Sequence, residues 1–103
     1  MKYSVEILEE AFLELESISD YYEKFKKGLG ENFIEDWERT LLTISRKPLG
    51  FVIFNKHFRL VQFYKFPFVI IYELSKEKII IYRIIHNKRN PDNRIKGIRG
   101  NKL

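Results

Sequence analysis

At 103 residues the chain has room for one domain and no more. A hydrophobic content of 45%, with 16% aromatic residues, is enough for a packed core and makes intrinsic disorder a poor reading. The absence of cysteine excludes a disulfide scaffold, a thiolate zinc site and a cysteine nucleophile.

No apolar run approaches the roughly 18 residues of a membrane span, and the Met1 end lacks the basic-then-apolar pattern of a signal segment. A soluble, cytoplasmic protein with no membrane partner is therefore expected. Charge is unevenly spread. Residues 1–40 hold five Lys/Arg against eleven Asp/Glu, whereas residues 41–103 hold fourteen against three. Such asymmetry suggests that the second half meets something anionic, either nucleic acid or an acidic protein segment. The plainer alternative is a basic face that only keeps the protein soluble.

In chain order, Tyr3, Val5 and Ile7 alternate with Ser4 and Glu6, the pattern of a short half-buried strand. Leu8, Ala11, Phe12, Leu15, Ile18, Tyr22 and Phe25 then recur at helical spacing, with Glu10, Glu14, Glu16, Asp20 and Glu23 on the outer face. Glu9 and Glu10 suit the positive end of the helix dipole, and Lys24, Lys26, Lys27 and Gly28 mark its end. A second stripe of Phe33, Trp37, Leu41 and Ile44, widened by Ile34 and Leu42, runs to Pro48. The short Gly28-Leu29-Gly30 link makes the two helices a hairpin.

Beyond Phe51, β-branched and aromatic residues dominate and predict strands near 57–64, 67–74 and 78–86, the last two joined by Ser75-Lys76-Glu77. Pro67 belongs at a strand start or a bulge. The layout is β-α-α-β-β-β, an α+β domain spanning 1–94, with a basic C-terminal tail over 95–103 that is expected to be mobile. Residues 68–72 and 79–85 are apolar on both faces, yet a helical hairpin covers only one. An exposed apolar face rimmed by Arg and Lys is expected, to be covered by a partner, a second copy or the tail.

No metal-ligand spacing involves His57 or His86, and no serine elbow, P-loop or dinucleotide fingerprint is present, so neither metal nor cofactor is expected. The carboxylates lie mostly on the outer faces of the helices, where solvation explains them. A basic group remains near the later strands: Arg59, Lys65, Arg83, His86, Lys88 and Arg89. Strict alternation would put Tyr82, Ile84 and His86 on one face and Ile81, Arg83 and Ile85 on the other. Arg83 in mid-strand needs a partner, and His86 is either a proton carrier near neutral pH or a structural donor at the strand end.

Glu10-Ala11 with Leu15 and Asp20-Tyr21-Tyr22, Leu29-Gly30 with Phe33, Pro48-x-Gly50, Arg59, Phe66-Pro67-Phe68 with Tyr72, and Arg83-Ile84-Ile85-His86 with Arg89 form an ordered set of marks. With these marks the chain resembles, from Tyr3 to about Pro91, the RelE/ParE superfamily of bacterial type II toxins. The resemblance implies a curved antiparallel sheet with a two-helix hairpin on one face. It also implies a small acidic antitoxin that wraps and neutralises the toxin in a hetero-oligomer, with a homodimer as an option for the chain alone. Two targets occur in the superfamily: DNA gyrase in ParE-like members, and messenger RNA on the ribosome in RelE-like nucleases. The end of this chain departs from the nuclease pattern, because no aromatic residue or histidine follows Arg89. The ParE-like, plasmid-stabilisation branch is therefore favoured. A metal-independent mRNA interferase, with catalytic candidates His86, Arg83 and Arg59, is the alternative, and a non-catalytic nucleic-acid or protein-binding module is a third. The expected target- or partner-binding residues are Arg59, Lys65, Tyr72, Arg83, His86, Lys88 and Arg89.

Overall fold

A computed structural model describes residues 3–88. Arg89 and the basic tail lie outside the described residues. The elements are β1 (Ser4–Ile7), α1 (Glu9–Phe25), α2 (Leu29–Arg46), β2 (Ile53–Phe54), β3 (Phe58–Gln62), β4 (Phe68–Ser75) and β5 (Lys78–His86). They form an α+β domain in the expected order, with one additional short strand, β2. The sheet order is β1-β5-β4-β3-β2. Pairings among β2 to β5 are antiparallel, while β1 runs parallel to β5, so the sheet is mixed.

The helical hairpin is closed by its own side chains. Gly28 turns the chain at φ 89°, a conformation that favours glycine. The carboxylate of Glu23 accepts the N–H groups of Gly28 and Gly30 at 3.0–3.1 Å, satisfying donors that a helix start leaves open. At Gly30 the helices touch: a Cβ there would stand 2.6 Å from the carbonyl oxygen of Ser19.

The main core lies between hairpin and sheet. Ala11 and Leu15 of α1 and Phe33, Trp37 and Ile44 of α2 pack on Val61, Ile70, Tyr72, Ile79, Ile81 and Ile84. The outer ends of the predicted stripes are less buried, with Phe12 50% and Phe25 78% exposed. β1 is exposed throughout rather than half-buried, because it is an edge strand.

Two expectations are corrected. Strict alternation in the last strand fails at a β-bulge. Ile71 pairs with Arg83 but Tyr72 pairs with Ile81, so Tyr82 is an extra residue that reverses the facing order. Ile81 and Ile84 consequently share the helix side, and Tyr82 and Ile85 share the other. The far face is also not bare. Phe58, Val69, Ile71 and Ile85 are buried there in a second cluster flanked by Phe54, Leu60 and Tyr82. The Phe58 ring meets Tyr82 edge-on at 4.9 Å, so large aromatic side chains of the sheet itself pack over the aliphatic ones. The proposed cover by the C-terminal tail concerns residues outside those described. No helix among the described residues is long and apolar enough to cross a membrane.

Candidate functional site

Where β1 ends, the outer edge of β5 continues with no neighbouring strand among the described residues, and α1 crosses beside it. Glu14 of α1 fills that place. Its Oε1 accepts the Ile84 N–H at 2.8 Å, and its Oε2 accepts Arg83 Nε and Nη2 at 2.7 and 2.6 Å. Glu10 adds a longer contact to Arg83 Nε at 3.7 Å. Burial pulls the guanidinium pKa down, but the hydrogen bond and charge of Glu14, with Glu10, outweigh it and hold the group above its ordinary value.

His86 ends the same strand. Its ring meets Phe68 edge-on at 5.4 Å, and its Nδ1 accepts the Lys88 N–H at 3.2 Å, which leaves Nε2 as the proton-bearing nitrogen of the neutral ring. Glu14, Ser17, Phe68, Arg83 and His86 line one shallow cleft of about 240 Å³. Chemically it offers an imidazole beside a guanidinium that a carboxylate already engages.

Lys65 sits near the same end of the sheet, on the loop between β3 and β4. That loop is fixed by Asp36 of α2, a carboxylate only 4% exposed, which accepts the N–H groups of Tyr64, Lys65 and Phe66 at 3.1, 2.7 and 2.9 Å. Asn87 ties the end of β5 to this loop through its N–H to the Pro67 carbonyl at 2.9 Å. Lys65, His86 and Lys88 thus gather at one end, with Arg83 close by. Lys65 and Lys88 have no carboxylate partner among the described residues.

Arg59 and Tyr72 lie elsewhere. They face each other across β3 and β4, four residues along β4 from the Phe68–His86 pair, or about 13 Å at strand spacing. Tyr72 is fully buried, and its hydroxyl donates to the Pro48 carbonyl at 2.6 Å. Burial pushes its pKa up to about 12, with the Arg59 charge opposing. Tyr72 therefore serves the packing of the domain and offers no surface to a partner. Arg59 Nη1 donates to the carbonyls of Phe51 at 2.8 Å and Leu49 at 3.2 Å, anchoring the segment that leads into β2. No group of three or more His, Cys, Asp or Glu side chains suited to a metal occurs among the described residues.

Arg83 and His86 at the end of the last strand, with Lys65 and Lys88 nearby, form the candidate site. Residues 5–91 match the family model described as the ParE toxin of the type II toxin–antitoxin system parDE. The chain belongs to the ParE toxin family. In fold, this ParE-family chain is similar to a chain of the chromosomal ParDE toxin–antitoxin system of P. aeruginosa, with a TM-score of 0.71 at 17% identity, covering 82% of this chain and 96% of that one. No curated protein sequence matches it significantly.

Sequence reasoning about this ParE-family member overlooked three carboxylates by assigning them to solvent. Asp36 falls on the α2 stripe, between Phe33 and Thr40, and that position was the available signal. Glu14 lies next to the α1 stripe, one residue before Leu15, but only the open edge of β5 gives it a purpose. Glu23 shows nothing in sequence beyond its spacing from Gly28 and Gly30.

Proposed function

We propose that this ParE-family chain is a cytoplasmic toxin that inhibits DNA gyrase and is neutralised by a cognate antitoxin. The observation that carries the reading against a nuclease is the Glu14–Arg83 pair. Cleavage of RNA without a metal needs a base, an acid and cations over the phosphate. In the cleft the guanidinium is already held by a carboxylate, and Arg59 lies on a different part of the sheet, bound to backbone carbonyls. A protein that works by contact has no need of a free phosphate clamp.

The second reading, a ribosome-dependent mRNA interferase, is favoured by one observation: Arg83 and His86 line the same cleft. The two readings separate in a paired assay of gyrase supercoiling and of message cleavage in a translating extract. Gyrase inhibition with intact message is expected, and His86→Ala should change inhibition only through folding or contact. Message cleavage lowered about a hundredfold by His86→Ala, with supercoiling untouched, would install the nuclease reading instead.

A further inference from the structure

The basic end of the sheet continues onto the outer surface of α2. Arg39 stands over the ring of Tyr64, 4.2 Å from its centroid, and the Tyr64 hydroxyl shares a 2.6 Å hydrogen bond with Thr43. The ring is held from two sides yet stays 51% exposed. A guanidinium stacked on a ring keeps its fork of N–H groups for an anion. Arg39 and Lys65 line one cavity, and Asp36 clamps the loop that carries Tyr64 and Lys65, so the lysine stands on backbone already fixed. Across that loop, Asn87 donates its N–H to Pro67 at 2.9 Å and its side-chain amide to Gln62 Oε1 at 3.4 Å, which seats Lys88 beside it.

The cations here are unspent. Arg39, Lys65 and Lys88 are exposed, and none has a carboxylate partner among the described residues. Asp36 does not offset them, because it is buried and its oxygens already accept three N–H groups. Glu35 is an exposed acid at the rim of the cavity and opposes an anion there. The neighbouring Asn32 and Gln62 are exposed polar groups, whereas Leu29 and Phe66 are half-buried. Open cations among polar side chains suit a charged backbone better than an apolar partner.

We propose that Arg39, Tyr64, Lys65 and Lys88 form a surface for the phosphate backbone of DNA, and that the toxin uses it on the DNA held by gyrase. The second clause rests on the reading of the chain as a gyrase inhibitor. Lys65 and Lys88 set ammonium groups against phosphates, and Arg39 offers its fork to another while Tyr64 holds it in place. Contacts of this kind fix position and read no sequence. An acidic protein segment is the poorer occupant, because its apolar side chains would find little to bury against beside the half-buried Leu29 and Phe66.

The test follows binding of the full chain to a short fluorescein-labelled DNA duplex by anisotropy over a salt series, beside inhibition of gyrase supercoiling. The proteins are wild type, Lys65→Gln/Lys88→Gln, Glu35→Gln and a control of equal charge, Lys56→Gln/Lys76→Gln. The control lysines are exposed and lie in the turns at the opposite end of the sheet from the Phe68–His86 pair. Lys65→Gln/Lys88→Gln should bind about tenfold more weakly than wild type at low salt, and its log–log salt slope should be shallower by about 2. Glu35→Gln should bind more tightly, and the control should stay near wild type. Gyrase inhibition should weaken in Lys65→Gln/Lys88→Gln alone. Equal DNA binding by the two double variants would overturn the surface. Weakened gyrase inhibition with unchanged DNA binding would make the gyrase protein its occupant and overturn the proposal. Wild type that leaves supercoiling untouched would overturn the gyrase reading, while the duplex measurements decide the surface separately.

Discussion

Glu14 accepts two different donors, a side-chain guanidinium and a backbone amide, at the point where β5 loses its neighbour. Neither bond is fully shielded, since the Arg83 and Glu14 side chains keep 12% and 22% of their exposure. Removing the carboxylate leaves the Ile84 N–H without its acceptor and Arg83 without its closest anion. Glu14→Ala should therefore cost about 2 kcal/mol, in the range for hydrogen bonds to charged groups. Glu14→Gln, which keeps an oxygen for the amide, should cost about half as much, and urea unfolding of the three proteins checks the order. Two tyrosines make a separate prediction at high pH. Burial pushes Tyr72 up to about 12. Burial, with the hydrogen bond to Glu73 and the charges of Glu73 and Glu6, takes Tyr82 to about 12 as well. A phenol whose folded pKa is raised contributes stability that is complete below the ordinary value near 10 and is lost as pH rises towards 12. The denaturation midpoint should fall across that window, and Tyr72→Phe with Tyr82→Phe should flatten the fall.

Among the elements, α2 does more than supply a face for the core. Asp36, one turn before Thr40 on the buried side, fixes the β3–β4 loop through three N–H groups and so sets where Lys65 stands. With the carboxylate gone, three amides lose a charged acceptor in a place where water has little access. Asp36→Ala should cost about 3 kcal/mol or more. Asp36→Asn, which keeps one acceptor oxygen, should cost less; urea midpoints measure both, and amide exchange at Tyr64 and Phe66 should quicken in step. Helical periodicity made both helices and their glycine link legible, because each helix buries one stripe on one surface. The last strand was legible as a strand but not in its facing, since the bulge at Tyr82 depends on the register with β4 and leaves no mark in the spacing of β5 itself. β2 was missed for a different reason: two residues are too few to show a period.

For the whole molecule, composition and pattern gave the α+β class and the order of elements, but not the neighbours within the sheet. Alternation reports which residues can be buried, not which strand lies alongside, so the parallel β1–β5 pairing could not be read from it. The second buried cluster was likewise unreadable. Two apolar faces with one helical layer implied a bare surface, whereas Phe54, Phe58 and Tyr82 occupy it from within the sheet. Of the expected binding residues, Lys65, His86 and Lys88 gather at one sheet end, and Arg59 lies beside β2. Arg89 falls outside the described residues. Tyr72 was drawn into the set by resemblance alone, and its packing explains its presence. The segregation of charge has a spatial counterpart, because the carboxylate-free run carries β2, β3 and the loop to β4 along one side of the fold.

The parallel edge strand also sets a condition on synthesis. β1 is made first, yet among the described residues its only sheet partner is β5, so Ser4 waits for Lys78 before it can pair. Contacts this distant along the chain form late, because the intervening loop must close before they repay its entropy. A ParE-family chain emerging from the ribosome therefore holds its first strand unpaired until nearly all of the domain is out. A partner present during translation meets a toxin whose sheet is still open at that side.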